Sequence, residues 1–316
     1  MAEYVLRRTA YGLLVVFCVI VLVFLGLHAV PGNAVRAQLA DSPGITEEEI
    51  AKRTAALGLD QPIGTQLLHF LGGIFRGDLG RSFVDNRSVA GLIAERLPIT
   101  LQLGLMALVI SVILGFAMGM ISAVRQNSLM DHSLRVVSVS GLSIPNFWLA
   151  LLMVTYLAIY IGWSPPLVYE GPTQNLGNNL AQTILPAVAL GVAGMAGTAR
   201  LLRSSLLEVM QSNFIRTVRA RGASRTTVLF KHATRSSILP VFTVLGLQVG
   251  AILGGTVILE SIFSIPGLGL LVFRAVQVRD YPVVMGCVIV YATVFILVNL
   301  IVDLTYGLID PRVRYR

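Results

Sequence analysis

Six stretches of this chain carry no Asp, Glu, Lys or Arg: Thr9 to Val35, Leu97 to Val124, Val136 to Tyr169, Gly171 to Ala199, Ser236 to Leu259 and Tyr281 to Val302. Each holds the roughly 20 residues that a helix rising about 1.5 Å per residue needs to cross a bilayer's hydrocarbon core. Backbone groups in hydrocarbon must find hydrogen-bond partners within the segment, and no stretch alternates as a barrel strand would. The expectation is an all-α polytopic membrane protein with six transmembrane helices. With 55% hydrophobic and 13% charged residues, the chain is too apolar for an ordinary soluble domain. Arg7 and Arg8 precede the first run as in a signal peptide, but the run is long and ends in Val30-Pro31-Gly32 without a small-residue cleavage site, so it reads as a retained anchor.

The net charge of +8 invites a nucleic-acid reading, which would require one basic stripe interleaved with aromatics. The basic residues lie instead in short loops between apolar runs, where they suit an anionic lipid surface. With the N-terminus inside, the cytoplasmic segments hold roughly 15 Lys and Arg against about 5 Asp and Glu, and the outer segments roughly 9 against about 11. Both termini, including Arg312, Arg314 and Arg316, are therefore expected in the cytoplasm. Cys18 and Cys287 fall inside apolar runs and carry no disulfide or redox pattern. His28, His69, His132 and His232 are too scattered for a short metal-ligand spacing.

The chain divides into a first segment and span over 1–30, an extracytoplasmic insertion with short helices over 31–97, and a five-span core over 98–316. In the insertion, Thr46 and Glu49 form a capping-box pattern and Gly58 is a stop signal. The stretch from Gln66 to Phe75 mixes Leu67, Leu68, Phe70, Leu71, Ile74 and Phe75 with polar residues, which fits either an interfacial or partner-packed segment or a helix covering the bundle's rim. Pro98, Pro186, Pro240 and Pro282 are expected in the first turns of their spans, where no helix hydrogen bond is lost. Gly246, Gly250 and Gly254 in the fifth span, and Ser111, Gly115 and Gly119 in the second, form ridges where helices can approach closely. Pro145 marks an expected bend near the start of the third span. Glu260 and Asp303 stand at span ends and read as an interfacial cap or salt bridge.

The loop from Arg200 to Arg235 is the most patterned polar segment. It holds about eight basic residues, with Glu208 its only acid. Asn213 is expected to cap a short helix over Phe214-Ile215-Arg216-Thr217-Val218-Arg219-Ala220-Arg221, which Gly222 would end in a left-handed turn before Ala223. Ser224 is expected to cap the next helix. Two readings fit: a helix pair presenting Phe214, Ile215 and Val218 to a groove on a soluble partner, or a basic amphipathic loop resting on lipid headgroups.

The stretch Asn213 to Ala223, continued to Ile238-Leu239-Pro240, resembles the cytoplasmic coupling motif of the inner-membrane permeases of ABC importers, in their dipeptide, oligopeptide and nickel branch. The general motif is Glu-Ala-Ala, three residues, Gly, nine residues, then Ile-x-Leu-Pro. Here the triplet reads Arg216-Thr217-Val218, and Leu239-Pro240 falls about five residues late, a spacing similar to the peptide branch. Further similar stations follow in order: Gly58-Leu59-Asp60-Gln61-Pro62, Gly77-Asp78-Leu79-Gly80, Glu95-Arg96-Leu97-Pro98, Pro145-Asn146-Phe147-Trp148, Gly254-Gly255, Pro266-Gly267-Leu268-Gly269, Arg279-Asp280-Tyr281-Pro282 and Asp310-Pro311-Arg312. Pro31-Gly32-Asn33-Ala34 departs, lacking the expected Asp-Pro pair.

The resemblance implies a type I ABC importer permease fold. It implies a cytoplasmic coupling loop over 204–236 and an ATPase-coupling segment Phe214 to Ala223. It also implies four partners: a second, homologous permease, two cytoplasmic ATPases and an extracytoplasmic solute-binding protein. This chain carries no phosphate-binding Gly-rich loop and no hydrolase motif, so it is expected to be no enzyme and to hold no cofactor, with ATP and Mg on the ATPase subunits. A secondary transporter is the rival reading, but such carriers place ionisable residues at mid-membrane. Peptide is the expected cargo, although glutathione and nickel importers share the scaffold.

Overall fold

The structure, a computed structural model, describes residues 2–32, 35–36 and 46–309. Asn33, Ala34 and the C-terminal Asp310-Pro311-Arg312 station with its arginines lie outside the described residues. The helices are α1 (Ala2–Ala29), α2 (Glu47–Ala56), α3 (Ile63–Phe75), α4 (Val89–Val124), α5 (Leu129–Ser143), α6 (Asn146–Ile161), α7 (Leu176–Gln211), α8 (Asn213–Ala220), α9 (Arg225–Thr227), α10 (Thr234–Ile262), α11 (Leu268–Gln277) and α12 (Tyr281–Ile309), with a π-helical turn, Val228–Ala233, before α10. Among the described residues there is no strand beyond one isolated bridge between Arg81 and Ser88.

Five helices are long and apolar enough to span a membrane, and the bent pair α5–α6 makes up to six. The expected bend at Pro145 is a break of 107°. Pro145 has no amide to donate, and its ring keeps Ile144 out of helical geometry, at φ −87° and ψ 123°. The other prolines correct the expectation. Pro98, Pro186 and Pro240 lie inside α4, α7 and α10, and only Pro282 stands in a first turn. These three helices begin in polar flanks well ahead of the apolar runs. Each interior proline thus deprives the carbonyl four residues earlier of its usual donor, which weakens the helix at that level.

The chain forms two compact units, Met1–Thr100 with Pro266–Leu297, and Leu101–Ile265 with Val298–Arg316. In the first, Val89, Leu92 and Ile93 of α4 pack with Leu268 and Ala275 of α11 and Val283, Val284 and Cys287 of α12. The open reading of Gln66–Phe75 resolves to a helix on the unit's rim: Leu67, Phe70, Leu71 and Ile74 of α3 face Ile20, Phe24 and Met285, while Leu68 and Phe75 stay exposed. Thr46 and Glu49 form the reciprocal capping box, and Gly58 takes φ +69° after α2. Around Arg279-Asp280-Tyr281 the motif has a structural basis. Arg279 adopts φ +56° at the end of α11 and donates to the carbonyls of Gly32 and Pro31 at 3.0 and 2.8 Å. Asp280, buried, accepts from the Ser82 hydroxyl at 2.5 Å and the Phe83 amide at 3.1 Å. Burial raises the Asp280 carboxyl above its ordinary range, and these two donors oppose that rise.

In the second unit α7 is the central element, with Leu185, Leu190, Met195, Leu202 and Leu206 all buried. The Ser111-Gly115-Gly119 ridge of α4 meets it directly. A Cβ on Gly115 would lie 2.7 Å from the Thr198 Cβ, and one on Gly119 would lie 2.8 Å from the Ala199 carbonyl oxygen. Ser111 donates to the Gln248 amide oxygen at 3.0 Å, and the Gln248 nitrogen donates to the Gly194 carbonyl and Thr198 hydroxyl at 2.8 and 2.9 Å. Gly119→Leu should therefore force α4 off α7 and cost about 1–3 kcal/mol or more, read as a lower thermal midpoint of the purified permease. An unchanged midpoint would show that the two helices separate freely at this level.

Asp131 corrects a further expectation. Counted from sequence as a loop residue, it is fully buried in the first turn of α5. The Ser122 hydroxyl of α4 donates to it. Arg203 of α7 donates in a fork, Nε to Oδ1 at 2.9 Å and a terminal nitrogen to Oδ2 at 2.8 Å. The Asn127 amide adds a bond at 3.0 Å, and the Arg135 Nε approaches to 3.6 Å. Glu260, expected at an interface, is likewise fully buried, near the end of α10.

Candidate functional site

The loop between α7 and α10 is an ordered structure. Ser212, extended at φ −68° and ψ 153°, ends α7 and starts α8 in one residue. Its hydroxyl accepts the Ile215 amide, so Ser212 is the cap and Asn213 the first helical residue. This corrects the expected Asn213 cap. Both residue types cap well, and the choice falls on the phase that turns Ile215 inward.

The end of α8 follows the sequence expectation. Gly222, at φ +83°, donates to the Arg219 carbonyl at 2.9 Å, and the Ala223 amide reaches the Val218 carbonyl at 3.4 Å. This is the paired closure of a helix by a left-handed residue, a conformation in which a side chain is strained. Ser224 accepts the Thr227 amide at 3.2 Å and caps α9, as expected. The π-helical turn follows, with the Thr234 hydroxyl donating to the Leu229 carbonyl at 2.9 Å.

The expected apolar surface of Phe214, Ile215 and Val218 is divided between two faces. Ile215 is fully buried with Leu202, Leu206, Val228, Ala233 and Val241, and Val218 and Ala223 pack partly against that cluster. These three fasten α8 to the helices it joins. Phe214 alone of the trio is mostly outside, 51% exposed, with its ring edge-on to His232 at 5.9 Å. Sequence reading missed Phe230, 64% exposed on the π-helical turn, whose signal is a large apolar residue amid a basic loop. Arg216, Thr217, Arg219, Ala220 and Arg221 are exposed on α8 and its cap, as are Arg225, Lys231 and Arg235 beyond it. Among the described residues none of these cations forms an ion pair with a carboxylate. The outer face is thus two exposed phenylalanines among unpaired positive charges, on a scaffold held by Ile215 and Gly222.

The second predicted group, Gly246, Gly250 and Gly254, is only partly brought together. A Cβ on Gly246 would meet Val302 of α12 at 3.2 Å, and Gly250 is partly buried. Gly254 has open space around it, and the close approach is made one residue on, where a Cβ on Gly255 would lie 2.7 Å from Leu190. Among the described residues, no group of three or more His, Cys, Asp and Glu is placed to hold a metal ion.

Comparison with known proteins agrees with this architecture. The chain is 37% identical, over the whole of both chains, to the dipeptide transport system permease protein DppB of Escherichia coli (strain K12). It is 37% identical to a putative peptide permease protein of Brucella suis biovar 1, over 99% of each chain. Among solved structures, a chain of the inward-facing MetNI methionine ABC transporter superposes with a TM-score of 0.57 at 18% identity, over 70% of this chain and 97% of that one. An amino acid ABC transporter crystallised with histidines gives 0.51 at 15% identity, over 71% and 95%. These likenesses show the ABC importer permease fold. Residues 1–104 match the family of binding-protein-dependent transport system membrane component N-terminal regions, and residues 115–315 match the binding-protein-dependent transport system inner membrane component. With its apolar spans and a match covering most of its length, the chain belongs to the binding-protein-dependent transport system inner membrane component family, as a multi-pass inner-membrane permease subunit.

Proposed function

We propose that this permease moves peptides into the cell and forms half of the translocation pathway beside a second, homologous permease. The observation that carries the cargo class is its end-to-end identity with a dipeptide permease, supported by the peptide permease of Brucella suis. In this reading two cytoplasmic ATPases hydrolyse ATP with Mg, an extracytoplasmic solute-binding protein delivers cargo, and this subunit is not itself an enzyme. The face of α8 carrying Phe214 docks on an ATPase, so that closure of the ATPase pair moves α8 and changes which side of the bundle is open. Nucleotide can drive such a change only through its different affinity for the two states. Uptake of a labelled dipeptide by cells carrying the intact operon, against cells lacking this subunit, tests the cargo. Equal uptake in both would overturn it.

The same reading places both termini and Gly222 in the cytoplasm, and Thr46 and Gln174 outside, because the basic excess sorts that way. Single cysteines at Thr46 and Gln174, both on polar segments outside the spans, should react with an impermeant thiol reagent in spheroplasts, and a cysteine at Gly222 only after lysis. Labelling of Gly222 without lysis would invert the topology.

A further inference from the structure

We propose that the cavity between α4, α5 and α7 holds the phosphate of an anionic phospholipid, drawn from the leaflet on the side of α8. The cavity measures about 170 Å³ and lies wholly within the second unit. Arg135 of α5 and Arg200 and Arg203 of α7 all line it. Of these, only Arg203 is fully answered, by the two-bond fork to buried Asp131. Arg135 reaches the same carboxylate only at 3.6 Å and is half exposed, and Arg200 has no carboxylate partner among the described residues. One buried negative charge therefore faces three guanidinium groups, which leaves the cavity positive. Guanidinium forks match the non-bridging oxygens of a phosphate diester, and the hydroxyls of Ser138 and Ser204 line the same cavity.

The rest of the lining distinguishes a lipid from a dissolved anion. Met118, Val139 and Leu142 form apolar walls beside the arginines. Val139 and Leu142 are 59% and 45% exposed, so the apolar side of the cavity opens along the outside of α5. A free phosphate would leave these walls unused, whereas a lipid places its headgroup at the arginines and its acyl chains along α5. Basic pockets at the end of apolar helices have this form where they recognise anionic headgroups. The site lies apart from the exposed face of α8 and is independent of the cargo.

Native mass spectrometry of the assembled importer, released from nanodiscs of phosphatidylethanolamine with or without phosphatidylglycerol, tests the assignment. Wild-type protein should retain phosphatidylglycerol on this subunit in preference to phosphatidylethanolamine. The variant Arg135→Gln with Arg200→Gln keeps the Asp131–Arg203 pair and should retain it about tenfold less well, the effect of losing one strong charge-assisted contact. Met118→Trp fills the cavity without altering charge and should lose the lipid as well, separating a built site from a generally basic surface. Equal retention by the wild type and either variant would overturn the proposal. So would release of the lipid by inorganic phosphate at low concentration, which would assign the site to a soluble anion. A cavity that retains no phosphatidylglycerol because the second permease covers it in the complex would overturn it too.

Discussion

Phe214→Ala combined with Phe230→Ala should leave the permease inserted and folded, yet weaken its association with the ATPase by about tenfold to a hundredfold. The two rings are largely exposed in this chain, so truncating them removes little from its own core. Burying a phenylalanine side chain against a partner contributes about 1.5–3 kcal/mol, and each 1.4 kcal/mol is a factor of ten in binding. Co-purification of the ATPase and substrate-stimulated ATP hydrolysis in proteoliposomes read the effect. Ile215→Ala is the internal contrast. It empties a site in the cluster with Leu202 and Val228, and should cost the loop's own fold about 2–5 kcal/mol. Gly222→Val should disturb the loop similarly, since a β-branched residue at φ +83° is strained. A loop resting on lipid headgroups would behave differently: Arg219→Gln with Arg221→Gln would then matter more than the loss of both rings. Normal ATPase association and normal hydrolysis in the double phenylalanine variant would show that this face is not the coupling surface.

The spans were legible because hydrocarbon imposes a requirement that composition alone reveals: a long uncharged run, with its backbone satisfied locally. Local chemistry was legible for the same kind of reason. The Thr46–Glu49 box, the left-handed Gly58 and Gly222, the Ser224 cap and the break at Pro145 each depend on a few adjacent residues. What escaped was decided by distant partners. Ser212 and Asn213 are equally good caps by type, and the burial of Ile215 against Leu202 and Val241 selects between them. That same burial removes Ile215 from the docking face on which periodicity alone had placed it. Pro98, Pro186 and Pro240 became interior residues because polar flanks joined the helices, which hydropathy cannot register. Gly254 belongs to the four-residue ridge by spacing, but the contact falls to Gly255, since helix phase is set by Leu190 across the interface. The pairing of Asp131 with Arg203 joins residues 72 apart in sequence, and nothing near either residue announces it.

That pair should also give the largest stability effect of any single site. Asp131 carries no solvent exposure, while the Arg203 side chain is 19% exposed, so the arginine is left in a largely dry environment if its partner is removed. Breaking a buried ion pair from one side costs about 3–5 kcal/mol, and the partial exposure of Arg203 puts Asp131→Ala toward the lower end of that range. Asp131→Ala also removes the acceptor of the Ser122 hydroxyl and the Asn127 amide, loosening the junction of α4, α5 and α7 together. Arg203→Gln alone should be costly as well, because it leaves a carboxylate buried with only neutral donors and the more distant Arg135. The double variant Asp131→Asn with Arg203→Gln replaces the ion pair by two amides of similar shape. It should be more stable than the sum of the separate losses in Asp131→Asn and Arg203→Gln predicts, by an interaction energy of about 1–3 kcal/mol. Thermal unfolding of the detergent-solubilised importer, with all four proteins measured in the same detergent, gives the cycle. If the losses of the two single variants simply add in the double, the fork between Asp131 and Arg203 contributes nothing specific, and the junction is held by its apolar packing alone.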